Sequence, residues 1–491
     1  MGPTTVIITI VVYFVVLFLI SYLAGRKADN QGFFVGNRKS AWYVVAFAMI
    51  GSSISGVTFV SVPGMVAVSN FSFIQMVLGF AVGQFIIAFI LIPLFYKMNL
   101  VSIYEYLENR FGMSSYRTGA WFFFISKIIG AAVRIFLVCF ILQSLVFDPF
   151  GLPFALNVII TIILVWLYTF QGGVKTLIWT DSFKTLCLLV SVVLCIYYIA
   201  SDLNLNFTGV VASITDSDLS RAFFFDDVND KRFFFKQFFA GIFTVIAMTG
   251  LDQDFMQRNL SCKNFKDCQK NMISSGVMQI IIYWLFLMLG VLLYNYAAKN
   301  GIFTPQDVLD KTMASDKVFS TIATQDYFPM IVGILFIVGL VSATYSTAGS
   351  ALTALTTSFT LDILGAKNKK EEEIIKTRKR VHIAMAFCLG LVVFIFSLLN
   401  NTSAIDAVFK IASYTYGPIL GLFAFGMLIK KPVRDKYVPI AAVAAPILCF
   451  ILQTNSEAWF NGYQFGYELL LVNALFTFIG LCLLIKKTQK Y

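Results

Sequence analysis

Residues 41–64 read AWYVVAFAMIGSSISGVTFVSVPG. The run is apolar and long enough to cross a bilayer, which takes about 20 residues for about 30 Å of hydrocarbon. It is interrupted near its middle by Gly51, Ser52, Ser53, Ser55 and Gly56, and Pro63-Gly64 follows. Glycine and clustered hydroxyls weaken a helix in an apolar setting. Unwound backbone at membrane depth is tolerated only where it is buried in protein or lines a cavity. The stretch therefore predicts a discontinuous transmembrane helix with carbonyl and hydroxyl oxygens at its break, a set that suits a hard cation such as sodium. Residues 342–350, SATYSTAGS, followed by Thr353, Thr356, Thr357 and Ser358, predict a second interruption of the same kind. For either segment alone, close helix packing through small residues is an equal reading. The two together favour an ion site, because neither sulfur nor imidazole accompanies the neutral oxygens, which disfavours transition metals.

The surrounding chain has the same character. Of its 491 residues 58% are hydrophobic and only 13% charged, against about 25% charged in a soluble domain; the mean hydropathy is +0.81. The apolar residues fall into thirteen candidate spans, at 4–24, 41–68, 72–96, 120–146, 155–171, 177–200, 235–251, 271–297, 328–361, 381–399, 405–429, 437–453 and 467–486. None shows the period-2 alternation of a barrel strand. The expected fold class is an all-α polytopic membrane protein. The first run follows only three residues and leads to no small-residue cleavage site, so it is expected as a helix and not as a signal peptide.

The net charge of +11 could suggest nucleic acid, but the charges are placed for a membrane. Alternate loops, starting after the first span, hold 26 of the 37 Lys and Arg, including Arg26, Lys27, Arg258 and seven between Lys367 and Arg380. The opposite loops hold seven. The positive-inside rule puts the N-terminus outside and the C-terminus in the cytoplasm, and directs the basic residues to the cytoplasmic leaflet, not to a nucleic acid. The lipid bilayer is thus an expected partner, and the plasma (inner) membrane the expected location. The eight cysteines are scattered and imply no disulfide framework. With one histidine, His382, and no cluster of nucleophile, base or metal ligands, an enzyme is not expected. No cofactor is expected beyond the coupling ion.

Spans 2–6 and 7–11 form two groups of five. Five is odd, so the second group must be inverted relative to the first, a common transporter plan with the site at the repeat interface. The resulting organisation is 1–40, an extra N-terminal helix and cytoplasmic loop; 41–200, a first five-helix repeat; 201–234, an acidic extracellular loop; 235–430, a second repeat; and 431–491, two C-terminal helices. Ionisable residues inside the membrane are functional candidates. Arg134 lies about 18 Å from either end of its span, too deep to snorkel, and is read either as a grip on an anionic substrate or as a structural partner of an internal acid. Asp181 and Lys184 are expected to pair, as are Asp406 and Lys410; Lys127 is expected to snorkel. Asp252 and Asp254 are expected to be structural or gating.

Five motifs in this order resemble the sodium–solute symporter family over roughly residues 5–430. They are Ser52 to Phe59 with Val62-Pro-Gly64, Ser102 to Gly112, Gly172 to Asp181, Asp252-Gln253 with Gln257-Arg258, and Ala343 to Thr347 running to Asp362. The resemblance implies a leucine-transporter-like 5+5 inverted repeat with an extra N-terminal helix. It implies a common sodium site at Gly51, Ile54, Ala343, Ser346 and Thr347. Members with two sodium ions imply a second site at Asp181, Ser346 and Ser350, although Gly349 stands where they carry a hydroxyl. Resemblance to the sialic acid transporters implies substrate contacts from Ser53, Ser55, Thr58 and Gln75, with Arg134 binding a carboxylate. The expected function is a sodium-coupled secondary active symporter importing a small organic solute, with sialic acid or another small carboxylate the leading substrate, by alternating access and as a functional monomer. The alternatives are proton coupling, for which Asp181 is the only good candidate, and a sodium symporter for a neutral sugar or amino acid.

Overall fold

Backbone polar groups in hydrocarbon find partners only within their own segment, so long apolar runs become helices. The computed structural model describes residues 2–25, 40–98, 100, 102–170, 173–324, 328–366, 369–399 and 404–486. Among these, nine helices are long and apolar enough to cross a membrane, two bent helix pairs make one span each, and Phe154–Thr169 and Leu469–Leu483 are shorter apolar helices. All thirteen predicted spans are therefore helical. Arg26, Lys27, Arg38, Lys39, Gln171, Gly172, Lys367, Lys487 and Lys490 lie outside the described residues.

Span 1 is Pro3–Gly25, span 3 Phe73–Ile86 continued by a π-turn to Lys97, and span 4 Met113–Leu142. Spans 5 and 6 are Phe154–Thr169 and Gly173–Asp202, and span 8 is Phe265–Lys299. Span 9 is Met330–Ser358 with a π-turn to Ile363, span 10 Glu371–Leu399 and span 11 Ala404–Leu428. Spans 12 and 13, Val438–Trp459 and Leu469–Leu483, close the chain.

Span 2 is broken as the sequence predicts. Trp42–Ser53 and Gly56–Gly64 meet at 58°, with Ile54 and Ser55 extended between them. The other break differs from expectation. Span 9 is a continuous helix, and every residue from Gly339 to Ser358 is buried. Four of its hydroxyls bond back along their own helix: Thr347 donates to the Thr344 carbonyl (2.9 Å), Ser350 to Thr347 (3.1 Å), Thr356 to Leu352 (2.7 Å) and Thr357 to Thr353 (3.0 Å). Back-bonding of this kind leaves the helix intact, and small side chains let neighbours approach on all sides. The second break lies in span 7, where Phe234–Gly250 and Gln253–Asn259 meet at 70°. Asp252 caps the second piece, accepting from the amides of Asp254 and Phe255. Spans 2 and 7 are the first helices of the two groups of five, so the breaks occupy equivalent places.

Spans 3 and 7 pack backbone to backbone through Gly79 and Gly241. A Cβ at Gly79 would lie 2.2 Å from the Phe238 carbonyl oxygen, and one at Gly241 2.1 Å from that of Met76. The 201–234 segment contains the helix Phe207–Thr215 and then folds back onto the start of span 3. The Phe71 amide donates to the Arg221 carbonyl (3.0 Å).

Candidate substrate and sodium site

The break in span 2 and the middle of span 9 face each other. A helix that stops at Ser53 leaves the carbonyls of its last turn without following amides. Ser52 Oγ lies 3.3 Å from Ser346 Oγ on span 9. A Cβ on Gly56 would sit 2.0 Å from the Thr344 hydroxyl, which is buried without a hydrogen-bond partner. Spans 2 and 9 thus meet through Ser52 and Ser346 and through Gly56 and Thr344, while a Cβ on Gly51 would face Thr185 and the Asp181 carbonyl on span 6, and Thr347 lines the adjoining cavity. Hydroxyl and carbonyl oxygens of this kind suit sodium.

Beside the junction lies a cavity of about 110 Å3. Ser53, Ser55 and Thr58 line it from span 2, Arg134 from span 4, and Thr347 from span 9. Ser55 Oγ caps the second piece of span 2 through the Thr58 amide (3.4 Å). Ser53 Oγ accepts from Gln279 on span 8 (2.8 Å), and the Gln279 amide oxygen accepts from Gln84 (2.9 Å). Phe73 and Phe409 rim one end, their rings 6.2 Å apart. Arg134 lines the cavity, and among the described residues no hydrogen bond or ion pair joins it to another group.

Gln75 does not line this cavity. Its amide is used up by the extracellular segment: the nitrogen donates to the carbonyls of Arg232 (2.8 Å) and Ser72 (3.2 Å), and the oxygen accepts from the Phe224 amide (3.1 Å). It is a clasp for the loop.

The opposite end of the cavity is floored by a buried charge network. Lys127 does not snorkel; its ammonium lies 3.1 Å from Asp252 and 2.8 Å from Asp254. Arg258, read from sequence as a loop residue, is fully buried and bridges Asp254 (2.8 Å) to Asp181 (3.0 Å). Lys184 pairs with Asp181 at 3.3 Å as expected. The Tyr416 hydroxyl on span 11 donates to Asp252 (2.6 Å). Asp406 departs from expectation: it accepts from Tyr467 (2.8 Å), and among the described residues no ion pair joins it to Lys410.

The second sodium site also departs from expectation. Both Asp181 oxygens are engaged by cations of the chain itself, Ser350 is turned to the Thr347 carbonyl, and Ser346 faces Ser52. These residues do not form an open ion site.

A profile of the "Sodium:solute symporter family" matches residues 33–435. The chain belongs to that family. Among its relatives, the sodium/sialic acid symporter NanT of Aliivibrio fischeri is 24% identical over 461 residues, covering 90% of this chain and 86% of that protein. The human sodium-coupled monocarboxylate transporter 2 is 25% identical, covering 85% and 68% respectively. A substrate-bound, outward-open structure of a Na+-coupled sialic acid symporter superposes with a TM-score of 0.82 at 20% identity, covering 97% of each chain. This sodium:solute symporter therefore has the leucine-transporter-like fold that its two broken helices signal. Residues that sequence reading missed at the site are Gln279, Lys127 and Arg258. The charge of Lys127 and Arg258 was visible, but their partners lie 125 and 77 residues away along the chain.

Proposed function

We propose that this symporter imports a small solute carrying a carboxylate, driven by sodium entering with it. The observation that carries the reading is Arg134, an intramembrane guanidinium that lines the cavity with no hydrogen-bond or ion-pair partner among the described residues. A guanidinium stays protonated and offers a planar fork matching a carboxylate, and an unpaired charge held in low dielectric is costly until an anion joins it. The relatives named above are transporters of sialic acid and of monocarboxylates, both acids. Ser53, Ser55 and Thr58 supply neutral donors for the remainder of such a solute. Sodium is held by Gly51, Ile54, Ala343, Ser346 and Thr347, which ties span 2 to span 9 and shapes the cavity wall that Ser53 and Thr347 share. With the N-terminus outside, the charge network lies in the cytoplasmic half and the Phe73–Phe409 rim in the outer half. Alternating access then opens one end as the other closes. Each sodium charge moving inward gains about 2.3 kcal/mol per 100 mV of membrane potential. The unit of transport is the monomer, in the plasma membrane.

Thermal stabilisation of the purified protein tests this. A ligand that binds only the native state raises Tm by mass action. N-acetylneuraminate and short monocarboxylates are expected to raise Tm in sodium and not in potassium, and Arg134→Gln to abolish the shift. A neutral sugar or amino acid acting in their place would reduce Arg134 to a structural residue. Equal shifts in sodium and potassium would refute sodium coupling.

A further inference from the structure

We propose that the chain supplies its own second cation: Lys184 and Arg258 fill the place around Asp181 that a second sodium would take, so that one sodium accompanies each substrate. This rests on the sodium-symport reading above. The Lys184 ammonium lies 3.3 Å from Asp181 Oδ1, 3.2 Å from the Tyr345 carbonyl oxygen on span 9 and 4.3 Å from the centre of the Tyr168 ring. A carboxylate, a helix carbonyl and an aromatic face are what a bare cation would seek there. Arg258 takes the other carboxylate oxygen at 3.0 Å and also donates to Ser52 Oγ. Ser52 in turn donates to Asp181 at 3.0 Å and lies against Ser346. Of the hydroxyls named for a second ion, Ser350 is turned to its own helix and Ser346 to Ser52, which Arg258 holds.

Two further observations close the site. Span 9 carries Gly349 where a ligand hydroxyl would stand, and the space is filled by Tyr168, whose hydroxyl donates to the Tyr345 carbonyl. The charges also balance without an added ion. Lys127, Lys184 and Arg258 face Asp181, Asp252 and Asp254, all six of them buried. A sodium ion entering beside Asp181 would meet two like charges and no uncompensated carboxylate, and like charges at close range disfavour each other strongly away from water.

The test counts 22Na+ bound at saturation per molecule of the purified full chain, with no substrate needed. The wild type is expected to bind one. Lys184→Gln removes the charge and shortens the side chain by one atom, freeing Asp181 Oδ1, the Tyr345 carbonyl and the Tyr168 face, and is expected to bind two, with a steeper sodium saturation curve. Two ions on the wild type would overturn the proposal while leaving sodium symport intact. One ion on a folded Lys184→Gln variant would also overturn it, because the ammonium would then not be what fills the site. No saturable sodium on the wild type would instead overturn the coupling reading on which the proposal rests. Should Lys184→Gln fail to fold, the wild-type count decides by itself.

Discussion

At Gly349 what matters is space. A Cβ there would lie 1.8 Å from the Tyr168 hydroxyl and 2.5 Å from its ring carbon, and Tyr168 is pinned by its bond to the Tyr345 carbonyl and by the Lys184 ammonium over its ring. Overpacking a filled interior costs about 1–3 kcal/mol. Gly349→Ala is therefore expected to lower Tm measurably, and an unchanged Tm would show that Tyr168 moves freely. Arg134 is expected to behave in the opposite way. Among the described residues it forms no hydrogen bond or ion pair, so Arg134→Lys should leave Tm of the unliganded protein unchanged. It loses the bidentate fork, however, and a charge-assisted hydrogen bond is worth about 1.5–3 kcal/mol. Carboxylate affinity should fall by roughly tenfold or more at about 1.4 kcal/mol per decade, read as the ligand concentration needed for a given Tm shift. The break in span 2 and the depth of Arg134 were legible in sequence because both are local signals, whereas the placing of Ser53, Ser55 and Thr58 at a pocket came from the family resemblance. Gln75 was not legible, because a glutamine that lines a pocket and one that anchors a loop look alike until its partners, Phe224 and Arg232, are placed.

Between elements, the network under the cavity joins spans 4, 6, 7 and 11. Lys127 is the one cation that span 4 contributes to it, and it serves both Asp252 and Asp254. Breaking a buried pair by removing one partner costs about 3–5 kcal/mol, since a charge is left uncompensated. Lys127→Met is expected to destabilise on that scale, and Lys127→Met with Asp252→Asn to destabilise less than the single change, a coupling that a double-mutant cycle on Tm would show. Additive losses would mean that the two charges do not sense each other. The 201–234 clasp makes a separate prediction about pH. Hydrogen bonds from Arg232 hold the Asp230 carboxyl below its ordinary range, so its contribution is present above the unfolded-state value and is lost as pH falls through the depressed one. Acid should loosen the segment, seen as faster proteolysis within 201–234, and Asp230→Asn should be loosened already at neutral pH. The break in span 7 was less legible than that in span 2. Span 2 carries Gly-Ser-Ser-Ile-Ser-Gly, whereas span 7 carries only Thr249-Gly250 before the Asp252 cap. Conversely, span 9 has the composition of a break and is a continuous, crowded helix, since hydroxyls that bond to their own preceding turn do not unwind it.

Over the whole molecule the functional direction depends on which way the thirteen spans are threaded, and the charge asymmetry of the loops makes that testable. Positive-inside threading puts Asp227, exposed in the 201–234 segment, on the outside and Lys436, exposed between spans 11 and 12, in the cytoplasm. The eight native cysteines include one exposed thiol, Cys482, so the variants belong in a Cys482→Ser background. In intact cells a membrane-impermeant maleimide is expected to label Asp227→Cys, and to label Lys436→Cys only after permeabilisation. The same threading sets the Lys127–Asp252–Asp254–Arg258–Asp181 network on the cytoplasmic side of Arg134 and the Phe73–Phe409 rim on the outer side. Solute arriving from outside then meets the aromatic rim first and Arg134 next, with the ion-paired floor barring its exit until spans 4, 7 and 11 part. The reverse labelling pattern would place that floor on the outside and the aromatic rim on the cytoplasmic side.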